Sequence, residues 1–288
     1  MKQNWVWVDN PQKLQKAVEA IRTSPLIGID TEYDSFRYFR EKLCLVQIKT
    51  LKKTYLFDPF AAIDIPSLRG SFSDPRIIKI LHAGDNDIRI LSRDYGFKFN
   101  PIFDTQKAAS LLGCRYLSLG SVVEQFLGRD LKKTKKMQRS QWESRPLTDE
   151  QILYAIQDTE HLIELYRRLS EELRENGLDK KASKAFEEEI ASARWVEKIF
   201  DPRGYRRIGG CEELNKFQKN RLKALHRWRF QKARETNMAL FMILSDQNLL
   251  DLSRVKVHSM ESLQKVVRLS PRRLATLGPE LVELLKRS

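Results

Sequence analysis

Two carboxylates at the end of an apolar run are the first residues of this sequence that could do chemistry. The segment LIGIDTEYDS, residues 26–35, begins like a buried strand and then places Asp30 and Glu32 two positions apart. Because side chains alternate across a strand, residues i and i+2 leave the same face. Two like charges on one face beside a hydrophobic core cost free energy unless a cation lies between them. The pair therefore predicts a cation-binding site at this strand end.

Two later stretches carry acids in similar settings. LHAGDNDIRIL, residues 81–91, places Asp87 in the first turn of a helix that directly follows a strand. YAIQDTEHLIELY, residues 154–166, places Tyr154 and Asp158 four positions apart, on one helix face beside apolar residues. Taken singly, each acid has a structural alternative, either stabilisation of a helix N-terminus or a solvated surface charge.

Taken together, the four acids favour a metal site. If Asp30, Glu32, Asp87 and Asp158 meet, they carry four negative charges, and two Mg²⁺ ions would balance them with the oxygen ligands that Mg²⁺ prefers. Two such ions, about 3.5–4 Å apart, clamp the attacking and leaving oxygens of an in-line phosphoryl displacement. A basic protein with one concentrated acidic pocket fits a nuclease better than a passive binder.

Three motifs make this interpretation specific. IDTE, HAGDND with Leu91 beyond it, and YAIQD resemble, in order, the three motifs of the DEDD 3′→5′ exonuclease superfamily. Tyr154, four residues before Asp158, is typical of the DEDDy branch, and the sister branch carries His where this chain has Leu153. FDTQKAASLLG and KKMQRSQWESRPLTDEQILYAIQD narrow the resemblance to the ribonuclease D family, over roughly residues 5–175.

The resemblance implies a role for each motif residue. The metal ligands would be Asp30, Glu32, Asp87 and Asp158, with two divalent ions, Mg²⁺ or Mn²⁺, as cofactors. Asp87 is preferred to Asp85 because Leu91 follows Asp87 by four residues, as in the motif. Tyr154 would orient the attacking water. The expected activity is hydrolytic 3′→5′ trimming of RNA to nucleoside 5′-monophosphates, with 3′ trailers of tRNA precursors and other small RNAs as substrates. Gln141 departs from the acid expected there in relatives.

The strongly basic segment RDLKKTKKMQRSQWESR, residues 129–145, leads directly into the helix that carries Asp158. Its alternatives are a solvated surface and contact with substrate, and contact is favoured by this position. Lys135, Lys136, Arg139 and Arg145 are candidates for phosphate contact, and Trp142 could stack on a base or simply pack. In the surrounding sequence, Asp104 is interpreted as a helix N-cap and His82 as a structural residue at a strand end.

The elements that must position these residues alternate between strand and helix. Residues 5–8 read as a short strand, and strand-like runs at 26–32, 43–50 and 54–59 suggest a meander. Strand and helix signals follow up to the TDEQ capping box at Thr148, which opens one long helix ending near residues 175–177. This order predicts an α/β fold with a ribonuclease H-like mixed sheet flanked by helices.

Strand signals end near Leu178, and the remaining chain reads as four or five helices. LKALHRWRFQKARETNMALFMILSDQNLLDL resembles the HRDC domain, a small all-α module that binds nucleic acid. The resemblances predict an exonuclease domain at 1–175, a helical connector at 176–211 and an HRDC-like domain at 212–288. The basic run 203–234, with eleven Lys or Arg against two acids, would hold structured RNA.

Composition supports a polyanionic partner. The 288 residues carry a net charge of +14, and the two basic segments, at +5 and +9, supply all of it. No apolar stretch approaches the roughly 20 residues that span a bilayer, and neither basic segment is a clean amphipathic helix, so no membrane partner is expected. Three scattered cysteines favour reduced thiols and a cytoplasmic location, and no obligate protein partner is evident. Two rival functions remain open, a DNA 3′→5′ exonuclease and an RNA-binding adaptor with an inactive site.

Overall fold

The computed structural model describes residues 4–131, 135–138 and 140–287, without the side chains of residues 135 and 136. Its contacts divide the chain into two compact units. The first unit runs up to Asp34 and continues from Lys42 to Val196. The second unit consists of Ser35–Glu41 and the chain from Glu197 onward. A short segment of the N-terminal half thus belongs to the C-terminal unit.

The first unit is built on a mixed sheet in the order β1-β4-β3-β2-β5-β6. Strands β2, β3 and β4 form the predicted antiparallel meander, whereas β1 pairs with β4, β5 with β2, and β6 with β5 in parallel. The predicted mixed sheet is therefore confirmed. The strands are β1 (Trp5–Val8), β2 (Leu26–Asp34), β3 (Lys42–Lys49), β4 (Thr54–Phe57), β5 (Ile78–Leu81) and β6 (Ile102–Asp104).

Helices flank this sheet, and their ends follow local sequence signals. Asn10, Asp104, Ser118 and Thr148 each cap a helix by accepting a hydrogen bond from a backbone N–H of its first turn, so the N-cap interpretation of Asp104 is confirmed. The helices of this unit are α1 (Pro11–Arg22), a 3-10 helix (Ile65–Leu68), α2 (Arg69–Ser73), α3 (Asp85–Tyr95), α4 (Thr105–Leu111), α5 (Leu119–Leu127), α6 (Lys135–Gln138), α7 (Asp149–Glu160), α8 (Leu162–Glu175) and α9 (Asp179–Ser192).

The prediction of one long helix after Thr148 is wrong. The chain forms two helices, α7 and α8, that are separated at His161. After the break α8 lies so close to β2 that a Cβ added at Gly28 would be 3.1 Å from the Cβ of Leu162. The break lets α7 and α8 pack on the sheet in different ways, which one continuous periodic pattern does not reveal.

The second unit is helical, as the sequence predicts. Its core takes in Phe39, which is 2% exposed and packs edge-on against Phe230 with ring centroids 5.2 Å apart. The segment 35–41 is thus anchored in this core rather than being a free surface loop. The helices are a 3-10 helix (Gly204–Arg207), α10 (Lys216–Thr236), α11 (Leu240–Ile243), α12 (Asp246–Arg254), α13 (Met260–Val266) and α14 (Pro271–Lys286).

Within the described residues, every helix is too short or too polar to cross a lipid bilayer.

Candidate active site

Three of the four predicted metal ligands meet in the first unit. One carboxylate oxygen from each of Asp30, Glu32 and Asp158 can be chosen so that all three lie within 4.8 Å of one another. The predicted shared face of Asp30 and Glu32 on β2 therefore exists, and α7 adds the third acid. Three acidic side chains so close together repel one another strongly. Hard oxygen donors in this arrangement fit a divalent cation such as Mg²⁺ or Mn²⁺.

The start of α7 fixes the position of Asp158. The hydroxyl of Thr148 accepts a hydrogen bond from the backbone N–H of Gln151, and the side chain of Gln151 accepts one from the N–H of Thr148. This reciprocal box satisfies two of the donors that a helix N-terminus leaves open. The helix packs against β2 and β3, so Asp158 is held beside the strand that carries the other two acids.

Asp87 lies in the first turn of α3 and is not among these three gathered acids. Its carboxylate is buried and accepts a hydrogen bond from the hydroxyl of Thr31, the residue between Asp30 and Glu32. Burial raises the pKa of Asp87 to about 7, and the hydrogen bonds from Thr31 oppose that rise. Thr31 therefore both ties α3 to β2 and favours the ionised form of Asp87, which is the form that binds a metal ion.

We expect Thr31→Val to weaken metal binding by about tenfold, within the range for outer-shell partners of metal ligands. Valine keeps the shape of threonine but removes the hydroxyl, so the proton of Asp87 competes better with the cation. The measurement is the Mn²⁺ dissociation constant at pH 7, with the melting temperature as a check on folding. Thr54→Val is the matched control, since Thr54 is buried at 2% exposure on β4 of the same sheet. Equal Mn²⁺ affinity in both variants would contradict this role for Thr31.

Tyr154 lies one helical turn before Asp158 and is 7% exposed. Its ring packs against Trp142, with centroids 5.9 Å apart. The pKa of the phenol is raised, mainly by burial and then by the negative charges of Asp158, Glu32 and Asp30. A hydrogen bond with Gln138 lowers this pKa. The phenol therefore stays protonated at neutral pH and is a hydrogen-bonding group rather than a base.

A cleft of about 570 Å³ opens beside the acids and includes Asp30 and Asp158 in its wall. Gln106 on α4, Ser121 on α5 and Ser118, the N-cap residue of α5, line the cleft. His82 borders the cleft too, but its two ring nitrogens lie 2.9 Å from the hydroxyl of Thr105 and 3.0 Å from the carbonyl oxygen of Leu117. The structural role predicted for His82 agrees with these contacts.

The predicted substrate contacts divide into two groups. The side chains of Lys135 and Lys136, and the whole of Arg139, lie outside the described residues. Trp142 is only 1% exposed, so of its two alternatives the structure supports packing and contradicts stacking on a base.

Arg145 is also not available for a phosphate. Its guanidinium donates to both oxygens of Asp58 at 2.8 Å and to the carbonyl oxygens of Cys44, Trp142 and Ser144 at 2.6–2.9 Å. These five hydrogen bonds use all five N–H donors of the side chain. The expectation of phosphate contact is therefore wrong for Arg145, which ties the segment before α7 to β3 and to the chain after β4.

Sequence reasoning missed two polar residues of the site. Thr31 faces away from Asp30 and Glu32 by alternation, and no spacing rule predicts its hydrogen bond to Asp87. Gln138 interacts with Tyr154, and its spacing from α7 gave no periodic signal.

Comparison with known proteins agrees with this geometry. Residues 5–174 match the model of the 3′-5′ exonuclease family, and residues 218–285 match the HRDC domain. Ribonuclease D of Pseudomonas paraeruginosa is 31% identical over 289 residues, which covers 97% of this chain and 73% of that protein. An exosome complex component 10 homolog of Drosophila melanogaster is 40% identical over 167 residues, which covers 58% of this chain but only 18% of that protein.

A solved structure agrees as well. The crystal structure of Escherichia coli RNase D, described as an exoribonuclease involved in structured RNA processing, superimposes with a TM-score of 0.70 at 28% identity and covers 99% of this chain and 75% of that one. The family match spans more than half of the chain and contains all of the gathered acids. The chain therefore belongs to the ribonuclease D family of metal-dependent 3′→5′ exoribonucleases and carries a C-terminal HRDC domain.

Proposed function

We propose that this protein trims the 3′ ends of tRNA precursors and other small structured RNAs, releasing nucleoside 5′-monophosphates with the help of two divalent cations. The observation that carries this proposal is the meeting of Asp30, Glu32 and Asp158 within 4.8 Å, beside Tyr154, in a chain of the ribonuclease D family. Asp87, which Thr31 ties to β2, completes the proposed ligand set.

The carboxylates explain why cations are needed. When bound, divalent cations at these residues would acidify a water molecule and stabilise the charge that develops on the phosphate. Asp30, Glu32 and Asp158 supply the negative charge that attracts the cations and fixes their place. Mg²⁺ and Mn²⁺ are the candidates, because the donor set is oxygen only.

Tyr154 is proposed to position the attacking water. Its phenol carries a proton at neutral pH, because burial and three nearby negative charges raise its pKa. Packing against Trp142 holds the ring, so the hydroxyl is presented in a fixed orientation. A pre-oriented polar group of this kind lowers the barrier without reorganising during the reaction.

The second unit is proposed to hold the body of the RNA. Not every cation of its basic run is available, because Arg221 and Arg229 are buried and donate to the carbonyl oxygens of Val255 and Leu244. Lys232 is paired with Glu280 at 2.8 Å. The basic run therefore contains a structural part and an exposed part, and only the exposed part can meet phosphates.

Within the exposed part we define the basic face as four of its cations, Arg203, Arg206, Lys223 and Arg227. Lys223 lies 5.4 Å from the ring centre of Tyr205, and Arg227 lies 5.5 Å from that of Phe200. These contacts bring the cations of α10 next to the segment that carries Arg203 and Arg206. Closely spaced cations on one surface suit the phosphates of a folded RNA.

We expect the double variant Lys223→Ala/Arg227→Ala to bind a tRNA-sized RNA about tenfold more weakly at low salt. The slope of log affinity against log salt should become shallower by roughly 1.4 to 1.8, because each lost phosphate contact accounts for about 0.7–0.9. The measurement is RNA affinity as a function of salt concentration, with each double variant made in a protein that also carries the inactivating Asp158→Asn substitution. Lys265→Ala/Arg268→Ala removes the same charge from exposed positions elsewhere in this unit and is the matched control. Equal slopes for the two double variants would remove the basic face from RNA binding.

A tRNA precursor with a 3′ trailer tests the proposed substrate. We expect stepwise loss of trailer nucleotides that stops at or near the mature end, and slower loss from a DNA strand of the same sequence. Faster digestion of DNA would favour the rival function of a DNA exonuclease. A cytoplasmic location belongs to this proposal, because tRNA precursors and reduced cysteines are both expected in that compartment.

A further inference from the structure

Two buried carboxyl groups outside the metal-ligand set occupy the core of the first unit. Asp104, at the end of β6, is 0% exposed, and Glu189, on α9, is 2% exposed. Acidic side chains are rarely buried so completely unless they are paired. Neither is predicted to be a metal ligand, and the reaction described above does not use them.

Asp104 connects two helices through its single carboxylate. One oxygen accepts a hydrogen bond from the backbone N–H of Lys107 at 2.9 Å and so caps α4. The other oxygen accepts one from the backbone N–H of Gly84 at 2.8 Å. Gly84 is the N-cap residue of α3 and has no side chain with which to cap that helix. Asp104 therefore binds the α3 N-terminus from the neighbouring strand.

Glu189 lies beside the carboxyl group of Asp104. Two ionised carboxylates are both acceptors and cannot bond each other, and among the described residues no N–H or O–H group bonds either oxygen of Glu189. Lys107 reaches only to 3.9 Å, and Asp85 adds a further negative charge from α3. Burial and the charge of Asp104 raise the pKa of Glu189 to about 9. A proton on one oxygen of Glu189 would supply the donor that lets the two carboxyl groups bond each other.

The turn that Asp104 binds sets the course of α3. Ala83 adopts a φ of +56°, which a residue with a Cβ rarely does. A Cβ added at Gly84 would lie 2.6 Å from the side chain of Leu81, so only glycine fits at this position of the turn. Asp87 follows Gly84 by three residues, in the first turn of the helix that this turn starts. A shift of the turn would move Asp87 away from Thr31 and β2.

We propose that Asp104 and Glu189 are positioning residues for the reaction. Glu189 holds Asp104 on the Gly84 turn, so that Asp87 can take part in the metal site. This inference rests on the proposed function of the site. It also gives α9 a role, because α9 lies beyond residue 174, where the match to the exonuclease family ends. The helix packs against β6, α3 and α4 and completes the support of the catalytic acids rather than only connecting two domains.

The test compares Glu189→Gln with Glu189→Ala in the full chain. The amide of glutamine donates a hydrogen bond without needing a proton, so we expect Mn²⁺ affinity and turnover to stay within about threefold of the unsubstituted protein. Alanine leaves Asp104 without this donor, and we expect about tenfold weaker Mn²⁺ binding with a similar fall in kcat, at the scale of outer-shell partners. Glu187→Ala, at an exposed position on the same helix, is the control and should match the unsubstituted protein.

Mn²⁺ binding, followed by electron paramagnetic resonance below the melting temperature of each variant, separates the possible failures. Unchanged Mn²⁺ affinity in a folded Glu189→Ala variant would overturn the positioning role. An equal loss in Glu189→Gln and Glu189→Ala would overturn the shared proton. If the unsubstituted protein binds Mn²⁺ but hydrolyses no RNA, the proposed function fails while the affinity comparison still decides this inference.

Discussion

Replacing Asp30 or Asp158 by asparagine is expected to reduce RNA hydrolysis by at least about 10³-fold, which corresponds to roughly 4 kcal/mol of transition-state stabilisation. Each substitution removes one charge from the three carboxylates that lie within 4.8 Å of one another. The neutral amide keeps the shape of the side chain but holds a divalent cation poorly. RNA binding should hardly change, because the proposed contacts with phosphate lie on the basic face. Turnover and RNA affinity are measured on the same preparations.

The melting temperature adds an independent check on this prediction. Without metal, either variant should be at least as stable as the unsubstituted protein, because one member of a mutually repelling group has been neutralised. The stabilisation that Mg²⁺ gives should be lost in both variants. Asp149→Asn, at an exposed position on α7, is the matched control and should behave like the unsubstituted protein. Wild-type turnover in either the Asp30 or the Asp158 variant would refute the ligand assignment.

Tyr154→Phe is expected to reduce turnover by about 10²–10³-fold, the range seen when one positioned polar group is removed from an active site. The hydroxyl lies in a region made negative by Asp158, Glu32 and Asp30, whereas the ring packs on Trp142. Phenylalanine removes the first interaction and keeps the second. The melting temperature and the affinity for RNA should therefore stay close to those of the unsubstituted protein.

Two further variants separate chemistry from packing at this position. Tyr154→Ala should lower the melting temperature as well as the turnover, because it removes a ring that is only 7% exposed. Tyr166→Phe removes a hydroxyl from α8, where the ring packs on Phe103, and should leave turnover unchanged. A fully active Tyr154→Phe protein would reduce Tyr154 to a packing residue.

Local patterns predicted the central part of the site. Strand alternation placed Asp30 and Glu32 on one face, and helical spacing placed Tyr154 and Asp158 on another, because both periods are fixed by backbone geometry. The capping box at Thr148 predicted the start of α7 to the residue. These features depend on neighbours within about four positions along the chain.

Contacts between distant residues escaped prediction. Arg145 binds Asp58, 87 positions away, so a side chain in a basic segment has a structural role that composition could not reveal. Glu189 and Asp104 lie side by side although a similar number of positions separates them along the chain. No sequence pattern around either residue indicates that the other is its neighbour. The segment 35–41 follows the catalytic strand directly, yet Phe39 is buried in the core of the second unit.

This last contact affects how the HRDC domain should be tested. Ending the chain near residue 205 would remove most of the core that covers Phe39. Phe39 itself lies in a segment that closely follows Glu32. If such a protein lost activity, the cause could be lost RNA binding or a disturbed β2, and the experiment would not separate the two. Point substitutions on the basic face avoid this problem, since they leave the core of the second unit intact.

The most direct measurement is hydrolysis of a single-stranded RNA labelled at its 5′ end, in water enriched in ¹⁸O, with Mg²⁺ or with a chelator. We expect a ladder that shortens from the 3′ end by one nucleotide at a time, with ¹⁸O in the phosphate of the released nucleoside 5′-monophosphates. The chelator and the Asp158→Asn substitution should each abolish the ladder. Internal cleavage, loss of nucleotides from the 5′ end, or activity that persists in the chelator would contradict a metal-dependent 3′→5′ exoribonuclease at this site.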